Sequence, residues 1–165
     1  MTIIQMLLKE MEQEAEKTKK MLERVPEDHF SWKPHEKSMS MLRLVTHLAE
    51  LPGWVSMALT TDGVDFATSS YQPTPIATRG DLLHLFEESY ASGKAELQKA
   101  SEQQLEQPWV LKNGDQVLAS MTKGETIRHA FSQTIHHRAQ LGVYLRLLNI
   151  PIPGTYGPSA DEQSF

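Results

Sequence analysis

The sequence predicts an all-α protein built from four long helical segments, with a long crossover between the second and third and a small β-hairpin just before the fourth. Three observations predict it. Apolar residues step by three and four along four separate stretches, the spacing that lines one face of a helix. Two threonines, Thr78 and Thr122, stand three residues ahead of an acidic residue in capping-box arrangements that open the last two stretches. Only one short segment, around Asn113, reads as paired extended chain.

At 165 residues the chain is long enough for one domain spanning 1–165 with a real apolar core and no covalent staples. It contains no cysteine, so a bound metal must be held by imidazole, carboxylate or amide groups, and a reducing cytoplasm suits the composition. The N-terminal ten residues are amphipathic and soon acidic, without the order of a signal peptide, and no apolar run approaches membrane-spanning length. A soluble, untargeted protein with no membrane partner is expected. The formal charge of -5, with no basic cluster, argues against a nucleic-acid surface.

Thr2 caps the first helix, whose Ile4, Leu7, Leu8, Met11, Ala15, Thr18, Leu22 and Val25 form an inner stripe up to a stop at Pro26. The connector from Pro26 to Ser38 holds Phe30, Trp32 and Pro34, bulky groups suited to cover one end of a core. The second helix is expected from about Ser40 to Thr60, with Leu44, His47, Leu48, Leu51, Trp54, Val55 and Ala58 facing inward. Pro52 and Gly53 interrupt it, so a kink or a break is expected rather than a straight rod. Thr61 to Ala77, rich in Thr, Ser, Gly, Asp and Pro, reads as the long crossover. The third helix opens at Thr78 and Asp81, carries Leu82, Phe86, Tyr90, Gly93, Leu97 and Ala100 at a helical period, and ends near Ser101. The run WVLKNGDQVL, Trp109 to Leu118, reads as a hairpin turning about Asn113 and Gly114. Thr122 and Glu125 launch the fourth helix, which Asn149, Pro151 and Pro153 stop, leaving a Pro- and Gly-rich tail to lie irregularly along the surface.

The fourth helix holds three of the seven histidines. Projected at about 100° per residue, His137 falls within the stripe of Ala130, Leu141, Tyr144 and Leu148, while His129 and His136 fall on a flanking face as rim residues. The second helix places His47 on its own apolar stripe, so two imidazoles from different helices face one core. A shared metal would satisfy one nitrogen of each ring, leaving the other for a hydrogen-bond acceptor. Gln133 lies one turn before His137, at the (i, i+4) spacing that lets two helical side chains reach one ion. Its amide carbonyl is a weaker ligand than imidazole for zinc or nickel. The blander reading is that inward histidines are hydrogen-bonded core residues. Glu50, three residues after His47, could reach the same cavity, although a solvated helix face is its plainer role. No phosphate loop, nucleophile elbow or paired-carboxylate signature is present.

With His47 in VTHLAELPGW, His137 in HHRAQLGVYLRLL and the Trp32-Lys33-Pro34 connector, the chain resembles the DinB/YfiT-like family of bacterial metal-binding four-helix bundles over nearly its whole length. The resemblance implies a four-helix bundle with a long crossover between helices 2 and 3, often a homodimer. It also implies a divalent metal, nickel or zinc, held by three histidines, one on the second helix and two spaced (i, i+4) on the last. Carried over, those positions are His47, Gln133 and His137: two match, and an amide stands at the third. Related enzymes are S-transferases and isomerases that use low-molecular-weight thiols, and some members are described as hydrolases. The family's name, taken from DNA-damage induction, does not imply DNA chemistry. The expectation is therefore a metal-dependent enzyme in which the ion activates a water or thiol, with metal binding weakened by Gln133. The alternatives are a non-catalytic bundle that has lost the metal and binds a small ligand or a partner chain, and a purely structural dimer module.

Overall fold

Side-chain caps set where the helices begin. In the computed structural model, which describes residues 1–163, Thr2 caps α1 (Ile3–Leu22) and accepts from the amide of Gln5. A single 3-10 turn, Glu27–His29, and an irregular connector lead to Ser40, which caps α2 (Met41–Glu50). After Pro52 the chain restarts as α3 (Gly53–Thr60) and then forms a short strand, β1 (Gly63–Asp65). Thr78 and Asp81 make the expected capping box at the head of α4 (Arg79–Lys99), which is followed by a one-turn α5 (Glu102–Leu105). The hairpin strands β2 (Pro108–Asn113) and β3 (Gln116–Thr122) run directly into the capping box of Thr122 and Glu125, which starts α6 (Lys123–Leu147). Each cap satisfies otherwise unpaired first-turn amides and contributes about 1 kcal/mol.

The chain is mostly helical, as the apolar periods require, but among the described residues the expected four helices are six, and a small three-stranded sheet joins them. The second expected helix is broken rather than kinked. Pro52 cannot donate to the helical ladder, so the chain crosses the break through tight turns in which Trp54 donates to Leu51 and Val55 to Pro52. The crossover also contains structure that its polar composition hid: Gly63–Asp65 pairs in parallel with Val110–Lys112, giving the strand order β1-β2-β3. The hairpin is present, one residue later than expected. Asn113 pairs with Gln116, so the two turn residues are Gly114 and Asp115, and Gly114 takes the positive φ of 59° that such a turn demands at its first position.

Both α1 and the α2–α3 pair pack against α4 and α6. Their buried residues form two apolar clusters. One holds Leu22, Leu44, Leu48, Leu82, Leu141 and Leu145; the other holds Leu7, Met11, Val55, Leu97, Ile127 and Phe131. Along α1 and α6 the stretch between the clusters is polar yet buried: Glu14 and Thr18 on one helix, Thr134, His137 and Arg138 on the other. The α2–α3 break falls between the clusters too, since α2 supplies the first and α3 the second.

At that break the backbones approach so closely that only glycine fits on α4. A Cβ on Gly93 would stand 2.2 Å from the carbonyl oxygen of Pro52 and 2.8 Å from the Met11 Cε. Gly93→Ala is therefore expected to lower unfolding free energy by about 2 kcal/mol through overpacking, despite alanine's better helix propensity. Urea unfolding checks this: equal or greater stability in the variant would show that the helices have room to separate.

Candidate functional site

His47 and His137 come together as the two apolar stripes require. Helix α2 carries His47, half-buried, and α6 carries His137, only 6% exposed. Their ring centroids are 4.7 Å apart with the planes at 81°, and Trp54 meets the His47 ring edge-to-face at 5.6 Å. Burial, with the positive charges possible at His137 and Arg43, pushes the His47 pKa down to about 4. His137 is also lowered, by burial first and by His136, against its own hydrogen bond to Gln140, which raises it. Both rings are thus neutral at pH 7, the state in which imidazole can donate a lone pair.

Gln140 fixes which nitrogen of His137 does so. The Nδ1–H of His137 donates to Gln140 Oε1 at 2.8 Å, and Gln140 Nε2 donates to His136 Nε2 at 3.1 Å. With Nδ1 committed as a donor, Nε2 keeps its lone pair. This is the pattern by which an outer acceptor orients a ligating imidazole. Sequence reading missed Gln140, although its positions three after His137 and four after His136 are helical neighbours of both. His129 and His136 are exposed, as rim residues should be.

Gln133 is half-buried one turn before His137, and its amide nitrogen lies 3.4 Å from His129 Nε2. Among the described residues no group of three His, Cys, Asp or Glu side chains is placed to hold an ion. The donors that fit a divalent metal are therefore two neutral imidazoles, with the Gln133 carbonyl as the candidate third. Two rings this close can offer nitrogens to one ion, whose bonds to imidazole run about 2.0–2.1 Å.

His47 also faces a cavity of about 1060 Å³ whose walls come from α2 and the crossover. Arg43, Thr46 and His47 line it from the helix, Tyr71, Thr74 and Ile76 from the crossover. No hydrogen bond among the described residues engages the His47 ring nitrogens, and no buried side-chain nitrogen or oxygen among those residues lacks a partner, so those nitrogens remain accessible. Glu50, which stood between cavity residue and solvated face, is tied to the crossover: Tyr71 donates its phenol to Glu50 Oε2 at 2.7 Å, and Thr74 donates to Oε1 at 3.5 Å. Burial and then the Glu50 carboxylate push the Tyr71 pKa up to about 12. The phenol is a neutral donor at all working pH values, so it latches the crossover segment over the cavity.

A family model described as the DinB family matches residues 1–164. No curated protein matches the sequence. Solved structures resemble the fold along most of the chain. A DinB-like protein from Bacillus subtilis is similar with a TM-score of 0.72 at 22% identity, covering 96% of this chain and 99% of the other. A DinB-like protein from Bacillus cereus gives 0.69 at 16% identity over 91% and 95%. A mycothiol-dependent maleylpyruvate isomerase gives 0.62 at 15% identity, covering 86% of this chain and 61% of that one.

Proposed function

Given that the chain belongs to the DinB family, we propose that it is a metal-assisted enzyme of the thiol S-transferase or hydrolase kind. In this reading His47 and His137 hold a divalent ion, nickel or zinc, with Gln133 as a third and weaker donor. The observation that supports it best is the ring pair itself: two neutral imidazoles from separate helices, 4.7 Å apart, one of them oriented by Gln140 and the other on a cavity wall. An ion bound there would supply Lewis-acid activation of a water or thiol. The residues around it supply the rest. The α2 wall positions a small molecule against His47, Trp54 braces that ring, and the Tyr71–Glu50 hydrogen bond holds the crossover wall to α2. The likeness to an isomerase that depends on mycothiol favours a low-molecular-weight thiol as co-reactant. The same reading carries a homodimer working in the cytoplasm; no helix among the described residues is long and apolar enough to cross a membrane.

Elemental analysis of protein purified without a histidine tag tests the assignment. Wild type is expected to retain metal after dialysis against a nickel- or zinc-containing buffer, and His47→Ala and His137→Ala are each expected to lower occupancy at least roughly tenfold, as loss of a metal-ligating group does. Equal occupancy in all three proteins would remove the ring pair from consideration. The second reading, a bundle that has lost its metal and binds a ligand or partner chain, is favoured by one observation: the third position holds an amide whose nitrogen turns to His129, 3.4 Å away.

A further inference from the structure

Among the described residues Arg43 is the one lysine or arginine on the cavity wall. It lies one turn before His47 on α2, exposed, and among the described residues its guanidinium has no ion-pair partner, unlike Arg24, Arg128, Arg138 and Arg146. The other charged groups at this place are both occupied. Asp81 accepts from the amides of Ala77 and Thr78 at 3.1 and 2.8 Å, closing the α4 cap. Glu50 accepts the Tyr71 phenol and sits about 10 Å along the helix from Arg43, at 1.5 Å per residue, on the far side of His47. The positive charge of Arg43 reaches across the space: after burial and His137 it contributes to lowering His47, and it opposes the rise of Tyr71.

We propose that this cavity binds an amphipathic small-molecule monocarboxylate, its carboxylate paired with Arg43 and its apolar body lying against Met39, Leu42 and Ile76. The charge count selects the class. One free guanidinium, forked to receive a carboxylate through two hydrogen bonds, matches a single negative charge. A phosphate dianion would meet only that one cation, the Asp81 carboxylate on the same wall and the Glu50 carboxylate just behind Tyr71, with no second lysine or arginine on the wall among the described residues. The same arrangement orients the ligand, its anionic head drawn to Arg43 and repelled from the Glu50 end of α2, with its body turned toward Met39 and Leu42, which precede Arg43 in the chain. The carboxylate site deepens the proposed function by naming a substrate class for the cavity, and it does not depend on metal binding.

Octanoate and octan-1-ol, which share an apolar body and differ in charge, are suitable probes for calorimetric titration of the full chain after removal of metal with EDTA. Wild type is expected to bind octanoate at least about tenfold more tightly than octanol, and raising the salt concentration should narrow that ratio. Arg43→Gln is expected to bring octanoate down to the octanol affinity while leaving octanol unchanged; Arg43→Lys should fall between. Because the Arg43 side chain is exposed, these variants keep the fold, which far-ultraviolet circular dichroism verifies. Ile76→Glu, a carboxylate against the apolar body, should weaken both probes. Absence of octanoate binding in wild type, or octanoate binding insensitive to Arg43→Gln, overturns the proposal. Metal content of the same preparations before EDTA treatment reports separately on the His47–His137 pair, so either reading can fail alone.

Discussion

Arg138→Ala is expected to destabilise the protein by about 3–5 kcal/mol, the cost of leaving a buried charge without its partner. Arg138 is 3% exposed and Glu14 is 7% exposed. The guanidinium donates to Glu14 Oε2 at 2.5 Å, to the Glu14 backbone carbonyl at 3.1 Å and to Thr18 Oγ1 at 3.1 Å, while Tyr156 from the C-terminal tail donates to the same carboxylate at 2.6 Å. Lys17 reaches the other carboxylate oxygen from the edge of the pair, too far out to replace the buried cation. Burial alone would raise the Glu14 pKa, but the hydrogen bonds from Tyr156 and Arg138 and the charge of Arg138 outweigh it, and the net shift is downward from 4.5. A lowered carboxylate contributes stability that is present above its ordinary pKa and is lost as pH falls through the folded value. The variant lacks most of that contribution. Its deficit in urea unfolding should therefore be largest near neutral pH and shrink as pH falls from the ordinary carboxylate range down through the lowered folded value of Glu14 in wild type. Removing both charges, as Arg138→Leu with Glu14→Leu, should be less harmful than Arg138→Ala alone. Equal stability of Arg138→Ala and wild type at pH 7 would show that the pair is solvated.

Glu14 and Arg138 also show why the sequence was legible in some places and silent in others. Thr78 with Asp81 and Thr122 with Glu125 are local devices, completed within one turn, and both capping boxes form as read. The apolar stripes likewise placed His47 and His137 on inner faces, because helical period is a local property. A salt bridge spanning 124 residues has no such signature. On α1 the period gave Thr18 as a buried position but could not choose glutamate at 14, since a buried charge becomes tolerable only when another helix brings its partner. The three-residue β1 fails for a related reason. Its pairing with Val110–Lys112 comes from a distant segment, and three residues are too few for an alternation to be seen. Gln140, Arg43 and Tyr71 were missed as site residues because each is defined by what it faces rather than by spacing.

The polar residues between the two apolar clusters make one layer with two uses. At one side, Arg138, Glu14, Thr18 and Tyr156 satisfy one another and tie the tail to α1 and α6. At the other, His137 is held by Gln140 and touches His47 across the core. Adjacent residues of α6 therefore point to opposite duties: Arg138 closes its side of the layer with charge, and His137 keeps its side neutral. The break at Pro52 belongs to the same arrangement. By ending α2 just after His47 it lets α3 take a separate course to the second cluster, while Trp54 at its start still reaches the His47 ring.

Gln133→His is expected to raise affinity for zinc or nickel roughly 100-fold, since it replaces an amide oxygen by an imidazole at the (i, i+4) position to His137. The scaffold already meets the other conditions. His47 and His137 are neutral at pH 7, His137 has its Nε2 left free by Gln140, and Gln133 is half-buried on the same side of α6 as the contact to His129. In wild type a metal must draw the Gln133 side chain away from His129 to gain a weak ligand; in the variant it gains a strong one. Competition against a chromophoric chelator at pH 7.5 measures the change, and thermal unfolding gives a second readout because a ligand at 100 times its Kd adds about 2.7 kcal/mol to the folded state. Adding His47→Ala to the variant should erase the gain, which places the new affinity on a shared ion rather than on a surface pair with His129. No gain in Gln133→His would mean that α2 and α6 do not hold their rings around a common point, and the metal-assisted reading would fail with it. A gain without thiol transfer or hydrolysis in either protein would instead favour the bundle that has lost its metal, with Gln133 marking the substitution responsible.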